Sequence, residues 1–250
     1  MIFKWILPVF LFLNVVPASL LAGNSLNELV LEQIKAMPHG GSYSASHLAT
    51  LRLQSATHFE QGKFSVTPES ASPSYCSGAT YLVFLKVLEK LREGGNLKLD
   101  DSVLANLAIR GQPDGAGIWG RWNANGPGTA RLFHEMGLGK NFTDFNAAKP
   151  GDFMKIFWNH EIGVAEHGHS VIFLGFESQN GNESVRFWSS NIPAGYGEKS
   201  VPRSKIAFAL FSRFENPANL ANAIPQSDKY LASLTSKRSS MAEMKEKCGF

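Results

Sequence analysis

The sequence predicts an α+β fold in which helices come first and antiparallel strands follow. In the first half of the chain, apolar residues recur at helical spacing, and the longest such segment begins at Cys76. From Phe153 onward the apolar period shortens to that of strands, and Asn-Gly at 180–181 indicates a tight hairpin turn. The chain has 250 residues, 44% of them hydrophobic, and is therefore long enough for one sizeable core.

Residues 1–22 have the pattern of a secretory signal peptide. Lys4 precedes an apolar run that extends to Val16, and small residues follow it. Val16 and Ala18 satisfy the small-residue rule for cleavage after Ala18, and we place the cut between residues 18 and 23. The run is shorter than the roughly 20 residues that a spanning helix needs. We therefore expect a periplasmic or extracellular protein, with no stable membrane span after cleavage.

Three segments are predicted beyond the signal peptide. Residues 23–70 form an N-terminal extension, in which an amphipathic helix between Ser25 and Met37 is followed by a loop rich in Ser and Thr. Residues 71–215 form the main domain. Residues 216–250 are a polar tail, rich in Ser and Lys, that we expect to lie outside the core.

The main domain is predicted to centre on the helix that begins at Cys76. This helix is apolar on nearly every side and ends at Gly-Gly, 94–95, so it belongs in the interior. Further elements are predicted as helices at residues 101–109 and 129–136, and as strands at residues 153–158, 169–176, 184–190 and 206–214. A loop rich in Gly and Pro, residues 111–128, lies between the two shorter helices.

The charge pattern does not indicate a nucleic-acid partner. The formal net charge is +3, and the Lys and Arg residues are scattered along the chain rather than clustered. A nucleic-acid interface needs a concentrated basic patch, so this class of partner is not expected.

Cys76 is the candidate nucleophile. Its position in the first turn of a helix exposes the thiol to unpaired N–H groups and to the helix dipole, which favour a thiolate. The alternatives are a buried core cysteine, or a disulfide with Cys248, the only other cysteine in the chain. We favour the nucleophile because Cys248 lies in the polar tail, far from the apolar setting of Cys76.

His169 and Asn191 are candidates for the base and for the group that orients it. His169 stands at the start of a predicted strand, and a turn centred on Asn-Gly at 180–181 sets it beside Asn191 or Ile192. An Asn191 amide oxygen that accepts the Nδ1 proton would leave Nε2 facing the sulfur. A larger shift of register would instead favour one of the serines at 189–190.

Three motifs in this order carry a resemblance to a known family. They are Cys-Ser-Gly at 76–78, Lys-Pro-Gly-Asp at 149–152, and Gly-His-Ser-Val-Ile-Phe-Leu-Gly at 168–175. Together they resemble the NlpC-type cell-wall cysteine peptidases, which have a papain-like fold. The resemblance covers residues 74 to about 191.

The resemblance implies that residues 71–215 are a papain-like catalytic domain, with a buried nucleophile helix packed on an antiparallel sheet. It implies that Cys76 and His169 are nucleophile and base, and that the substrate is peptidoglycan or its peptide fragments. Cleavage of a stem-peptide amide, as an endopeptidase or as an amidase at the sugar linkage, is the activity of this class. No metal or organic cofactor is implied.

The chain departs from the family pattern around the nucleophile. The family usually has Asp before the cysteine, where this chain has Tyr75, and often an upstream tyrosine that helps to stabilise the oxyanion. The upstream aromatic residues considered, Phe59 and Phe64, lack a hydroxyl. We therefore expect the Cys76 backbone N–H to bind the oxyanion, with Tyr75 or Ser74 as further candidates.

Trp119 and Trp122 lie in the Gly-rich loop and are candidates for substrate contact. Loops on a rigid scaffold often carry recognition, so the two rings are a hypothetical wall of the cleft that stacks on sugar or flanks a peptide. The alternative is that they only anchor the loop to the core.

Two other functions compete with a cysteine hydrolase. One is a zinc hydrolase built on three histidines and a carboxylate, which are His160, His167, His169 and either Glu161 or Glu166. The other is a non-catalytic module of the same fold that binds cell-wall peptide without cleaving it. A chelator tests the first alternative, and a Cys76→Ser variant tests the second.

Overall fold

The computed structural model describes residues 25–60, 63–179 and 181–250. The predicted signal peptide, up to residue 22, lies outside this part of the chain. Within the described residues, no helix combines the length and apolarity needed to cross a bilayer.

The fold is mixed α+β, as predicted, with one antiparallel sheet of seven strands among the described residues. The helices are α1 (Leu26–Lys35), α2 (His47–Ser55), α3 (Cys76–Glu93), α4 (Asp101–Leu107), α5 (Gly117–Trp122), α6 (Gly128–Met136), α7 (Lys229–Ser233) and α8 (Met241–Cys248). The strands are β1 (Gly40–Gly41), β2 (Thr57–Glu60), β3 (Lys63–Val66), β4 (Gly139–Phe142), β5 (Phe153–Phe157), β6 (Gly168–Gln179), β7 (Asn182–Asn191), β8 (Gly195–Pro202) and β9 (Phe208–Phe214). The sheet order is β1-β8-β7-β6-β5-β9-β4, and β2 and β3 form a separate hairpin.

The long helix α3 is buried, as its apolar composition predicts. It packs on β6 and β7 of the sheet and against α1. Tyr81, in the middle of α3, is fully buried, and its ring centroid lies 5.1 Å from that of Trp119 and 5.2 Å from that of Trp122. Both tryptophans are only 1% exposed. The hypothesis that they form a wall of the cleft is therefore wrong: they fill the core beside α3.

Several elements are absent from the sequence-based prediction. Helix α2 lies in a segment predicted as loop, because its apolar residues do not form one stripe: Leu53 is buried while Leu48 and Leu51 are exposed. Ser46 starts this helix by accepting a hydrogen bond from the Ala49 N–H. Helix α5 lies within the Gly-rich loop, and strand β8 has a mostly polar sequence without clear alternation.

The C-terminal segment is part of the core, and the prediction that it lies outside is wrong. Leu231 and Leu234 pack together around α7, and Met244 and Cys248 on α8 are buried against Phe157 and its neighbours. These few apolar residues are diluted by Ser and Lys in the sequence. Their burial depends on contacts with α6 and the sheet, which composition does not reveal.

The Pro-Gly-Asp turn before β5 ties the N-terminal extension to the sheet. Asp152 is fully buried, and its carboxylate accepts two hydrogen bonds from the Arg213 guanidinium, at 2.8 and 2.7 Å. It also accepts from the Asn27 side chain on α1 and from the Lys149 N–H. Gly151 has φ +94°, and a Cβ there would collide with the backbone of Asn27. This motif is therefore structural in the described residues.

Candidate active site

Cys76 is the first residue of α3, as the sequence predicts. The preceding Tyr75 is extended, and no side chain caps the helix, so the first N–H groups of α3 remain open to a ligand. The thiol is half-buried, and burial alone would raise its pKa. The hydrogen bond and charge of His169 outweigh burial, with help from Ser170 N–H and Lys155, and lower the pKa of Cys76 to about 7.

His169 is oriented by Asn191, also as predicted. Asn191 Nδ2 donates to the carbonyl oxygens of Ser189 at 3.2 Å and Gly197 at 2.8 Å, which turns Oδ1 toward the imidazole. The distance between His169 Nε2 and Asn191 Oδ1 is 3.1 Å. Because Oδ1 is an acceptor, Nε2 carries the proton and Nδ1 is the nitrogen available to Cys76. The sequence analysis assigned the two ring nitrogens the other way round, and that assignment is wrong.

A β-bulge sets the register that brings these two residues together. Near the hairpin turn, Glu177 lies opposite Ser184, and this register would place His169 opposite Ile192. Between Phe173 and Gly175 the register shifts by one residue, so that Ile172 lies opposite Trp188. Continued along the strands, the shifted register sets His169 opposite Asn191, with both side chains on one face.

The hydroxyls of the two serines at 189–190 form hydrogen bonds with residues other than His169. Ser189 Oγ donates to the Ser170 carbonyl at 2.7 Å, and Ser190 Oγ accepts from Ser74 Oγ at 2.8 Å. Neither is the partner of His169 in this geometry.

The two further oxyanion candidates do not present their hydroxyls at the site. Ser74 is buried, and its Oγ donates to Ser190. Tyr75 is also buried, and its hydroxyl pairs with Thr50 Oγ1 at 3.3 Å, although it is near enough to Cys76 for the two to interact electrostatically. The Ser74 and Tyr75 hydroxyls are therefore engaged with other partners and are not the oxyanion donors that we expected.

Tyr43, rather than Ser74 or Tyr75, is the residue whose hydroxyl contacts the Cys76 thiol. The segment around Tyr43 forms a parallel bridge with Ser74, in which Ser44 N–H donates to Ser74 O at 2.8 Å. This bridge brings the Tyr43 hydroxyl into hydrogen-bonding contact with the Cys76 thiol. Burial and the nearby Cys76 charge raise the pKa of Tyr43 to about 12, so the hydroxyl remains a donor at neutral pH.

Tyr43 is absent from the sequence-based prediction, in which Phe59 and Phe64 are the upstream aromatic residues. A local signal was present: Gly-Gly at 40–41 precedes Tyr43 and forms strand β1. The pairing of this segment with Ser74, 31 positions along the chain from Tyr43, is a tertiary contact that no local pattern encodes.

A polar pocket of about 430 Å³ opens beside Cys76, and we define it by Asn123, Lys155, Glu166 and Gly168. Lys155 Nζ lies 2.9 Å from Glu166 Oε1, and Glu166 Oε2 accepts from the Gly126 and Gly163 N–H groups. A Cβ at position 168 would displace the end of the Lys155 side chain, which lies against Gly168.

The histidines of the zinc hypothesis do not form a metal site among the described residues, although His167 lines the pocket beside Cys76. His169 faces Cys76 and Asn191, whereas the His160 ring stacks on Phe208. In the described part of the chain, no three His, Cys, Asp or Glu side chains form a group suited to a metal ion. Cys76 and Cys248 are both free thiols, so the alternative of a disulfide between them is not observed.

Comparison with known proteins finds no matching family model, no matching curated protein and no matching solved structure.

Proposed function

We propose that this chain is an exported cysteine hydrolase that cleaves an amide bond in peptidoglycan stem peptide. Cys76 is the nucleophile, His169 is the general base and acid, and Asn191 is the positioning residue. The observation that carries this proposal is the continuous contact from the Cys76 thiol to His169 and from His169 Nε2 to Asn191 Oδ1, 3.1 Å away. A thiol, an imidazole and an orienting acceptor in this order are the parts that nucleophilic catalysis requires.

In the proposed reaction, His169 Nδ1 holds the proton of Cys76, and the thiolate attacks the carbonyl carbon of the amide. The C–N bond then breaks, and the leaving nitrogen takes the proton from Nδ1, which leaves an acyl group on Cys76 as a thioester. Water, deprotonated by the same nitrogen, attacks the thioester carbonyl. The carboxylic acid leaves, and the proton returns to the Cys76–His169 pair.

The oxyanion of each tetrahedral intermediate needs donors that are already in place. The backbone N–H of Cys76 is available because no side chain caps α3. The Tyr43 hydroxyl is the second donor in this proposal, since it contacts the Cys76 thiol and stays protonated with a pKa of about 12. Because it contacts the thiol, the hydroxyl is within reach of the oxyanion on the carbon that is bonded to the sulfur.

The finer assignment to an NlpC-type, papain-like fold belongs to the same proposal. A buried helix that starts at the nucleophile and packs on an antiparallel sheet, with the histidine at a strand start, agrees with that resemblance. Peptidoglycan as substrate, and a periplasmic or extracellular location, follow from the resemblance and from the signal-peptide pattern of residues 1–22.

Mass spectrometry of purified peptidoglycan incubated with the mature protein tests the proposal. Wild type is compared with Cys76→Ala and with Cys248→Ala as the matched control. We expect the release of muropeptide fragments by wild type and Cys248→Ala and none by Cys76→Ala, and the fragment masses identify the bond. Bound but uncleaved peptide with all three proteins would instead support the non-catalytic binding module.

A further inference from the structure

A groove lies between α4, the start of α5 and residues 220–226. Its volume is about 520 Å³, and none of the residues that line it also lines the polar pocket beside Cys76. Buried apolar side chains form its base, and they include Val103, Ile118 and Leu220. The groove is therefore a second concave surface, separate from the nucleophile.

One wall of the groove is an extended segment whose backbone polar groups are open. Ala223 and Ile224 line the groove, and in the described part of the chain no protein group hydrogen-bonds to the backbone N–H or carbonyl of either residue. Ile224 precedes Pro225, and a residue in that position is restricted to extended backbone. Such a segment can pair with a second extended chain through main-chain hydrogen bonds.

The extended segment is held in place on both sides. Before it, Asn222 Nδ2 donates to the carbonyl oxygen of Met136 at 3.0 Å. After it, the fully buried Arg121 donates from Nη2 to the carbonyl oxygen of Pro225 at 2.9 Å. Because the segment is already fixed, a peptide that pairs with it does not have to pay for ordering it.

Arg110 gives the groove a positive charge. Among the described residues that line the groove, Arg110 alone is charged; it is exposed, and its guanidinium has no protein partner there. Asp101 and Asp114, the acidic residues nearest to it in sequence, do not line the groove. The Asp100 carboxylate, at the start of α4, is occupied by the Ser102 hydroxyl at 2.7 Å. The guanidinium is therefore available to bind a carboxylate through two parallel hydrogen bonds.

Two amide side chains complete the polar lining. Asn106 on α4 and Gln226 both line the groove, and within the described chain their amide groups have no protein partner. Gln112 also lines it but is occupied, since its Oε1 accepts from the Arg110 N–H at 2.7 Å and its Nε2 donates to the Ala108 carbonyl at 2.9 Å. An open carboxamide both donates and accepts, which matches the polar groups of a peptide bond.

We propose that this groove binds a second stem peptide of the cell wall in extended conformation, with its main chain on Ala223 and Ile224 and a carboxylate on Arg110. The ligand class rests on the proposed function, whereas the groove shares no lining residue with the pocket at Cys76. A polymer that occupies the groove presents its neighbouring peptides to the nucleophile at a raised effective concentration. A single short peptide does not gain from this second contact.

The first test maps binding by NMR on isotope-labelled Cys76→Ala, which cannot cleave the ligand. The probe is a synthetic stem tetrapeptide with free carboxylates. The backbone N–H resonances of Ala223 and Ile224 should shift during the titration and give the Kd of the groove. The same peptide with every carboxylate amidated should bind about tenfold more weakly, because Arg110 then lacks an ionic partner. Shifts confined to the surroundings of residue 76 would overturn the groove and leave the hydrolase intact.

Arginine variants in the same Cys76→Ala background test the charge. Arg110→Met should weaken binding about tenfold, and Arg110→Lys, which keeps the charge without the planar fork, about threefold. Arg52→Met is the matched control, because it removes an exposed arginine of α2 outside the groove, and it should leave the Kd unchanged. Thermal unfolding confirms that each variant is folded. Unchanged binding in folded Arg110→Met would overturn the proposed site.

The stereochemistry of the probe tests the origin of the ligand. The all-L isomer of the tetrapeptide should bind more weakly than the stem peptide. Equal or tighter binding of the all-L isomer would mean that the groove accepts an ordinary protein segment, which overturns the assignment to the cell wall.

The second test compares turnover of a polymer with turnover of a short substrate, in the presence of Cys76. Arg110→Met should lower the ratio of the rate on sub-saturating peptidoglycan to the rate on the soluble tetrapeptide by about tenfold. A wild-type ratio in Arg110→Met would overturn the anchoring role. If wild type cleaves neither substrate while the Ala223 and Ile224 resonances still shift, the groove is supported and the proposed hydrolase fails.

Discussion

The Asn191 side chain fixes the His169 ring in one orientation: Asn191 Oδ1 lies 3.1 Å from Nε2, and Asn191 Nδ2 is held by two backbone carbonyls. The amide cannot rotate without breaking those two bonds. The ring nitrogen that faces Cys76 is therefore decided by the backbone of β7 and β8, through Asn191.

Replacement of Asn191 by Ala tests this positioning role. The ring loses its only oriented acceptor in the described site, so we expect kcat to fall about 100-fold with little change in KM. The measurement is a double-mutant cycle with His169→Ala. If Asn191 acts through His169, the second substitution has no effect once His169 is gone. An additional, independent loss in the double variant would contradict the role.

Tyr43→Phe tests the hydroxyl as an oxyanion donor. The substitution keeps the ring and removes one donor, so we expect kcat to fall about 100-fold. Tyr75→Phe is the matched control, because it removes a tyrosine hydroxyl that hydrogen-bonds to Thr50 Oγ1 rather than to Cys76. It should change kcat less than about threefold. Equal losses in the two variants would remove Tyr43 from the mechanism.

The two cysteines should differ in their reactivity with pH. The pKa of Cys76 is lowered to about 7, chiefly because His169 outweighs the effect of burial, so its alkylation rate should rise through a midpoint near pH 7. Burial raises the pKa of Cys248 to about 12, so this thiol stays protonated at neutral pH.

Peptide mapping after brief iodoacetamide treatment at pH 7.5 should therefore find label on Cys76 alone. The rate profile of His169→Ala should move toward the ordinary thiol value of 9.0. A wild-type midpoint near that value would show that His169 does not activate the thiol.

The C-terminal helix α8 should stabilise the whole domain. Met244 is fully buried beside Phe157, whereas Met241, on the same helix, is exposed. Met244→Ala should reduce the free energy of unfolding by about 2–5 kcal/mol, and Met241→Ala by less than about 0.5 kcal/mol. Denaturant titration followed by fluorescence measures both. Equal stability of the two variants would mean that α8 is not part of the cooperative unit.

Much of the site could be predicted from sequence because its parts are encoded locally. The helix that begins at Cys76 follows from a continuous apolar run that ends at Gly-Gly, and the strands around His169 follow from alternation and an Asn-Gly turn. Counting residues outward from that turn predicted the residue opposite His169 to within one position, as Asn191 or Ile192. The family assignment and the substrate remain predictions that await experiment.

The failures share one physical cause, which is that they depend on contacts between distant segments. The bulge between Phe173 and Gly175 corrects the register, and packing around Tyr81 turns Trp119 and Trp122 into core residues. Whether a hydroxyl is buried and hydrogen-bonded or available at the site likewise depends on residues from other segments of the chain.

The sequence by itself determined the α+β class, the central helix, strands β5, β6, β7 and β9, and the choice of Cys76, His169 and Asn191 as the candidate site residues. The tertiary structure alone decided which ring nitrogen faces the sulfur, and that the Tyr43 hydroxyl hydrogen-bonds to the thiol whereas the Tyr75 hydroxyl pairs with Thr50. Local patterns specify secondary structure because backbone hydrogen bonds and apolar periodicity act over a few residues. The contacts of Cys76 with Tyr43 and with His169 join segments more than 30 positions apart, so they exist only once the chain has folded.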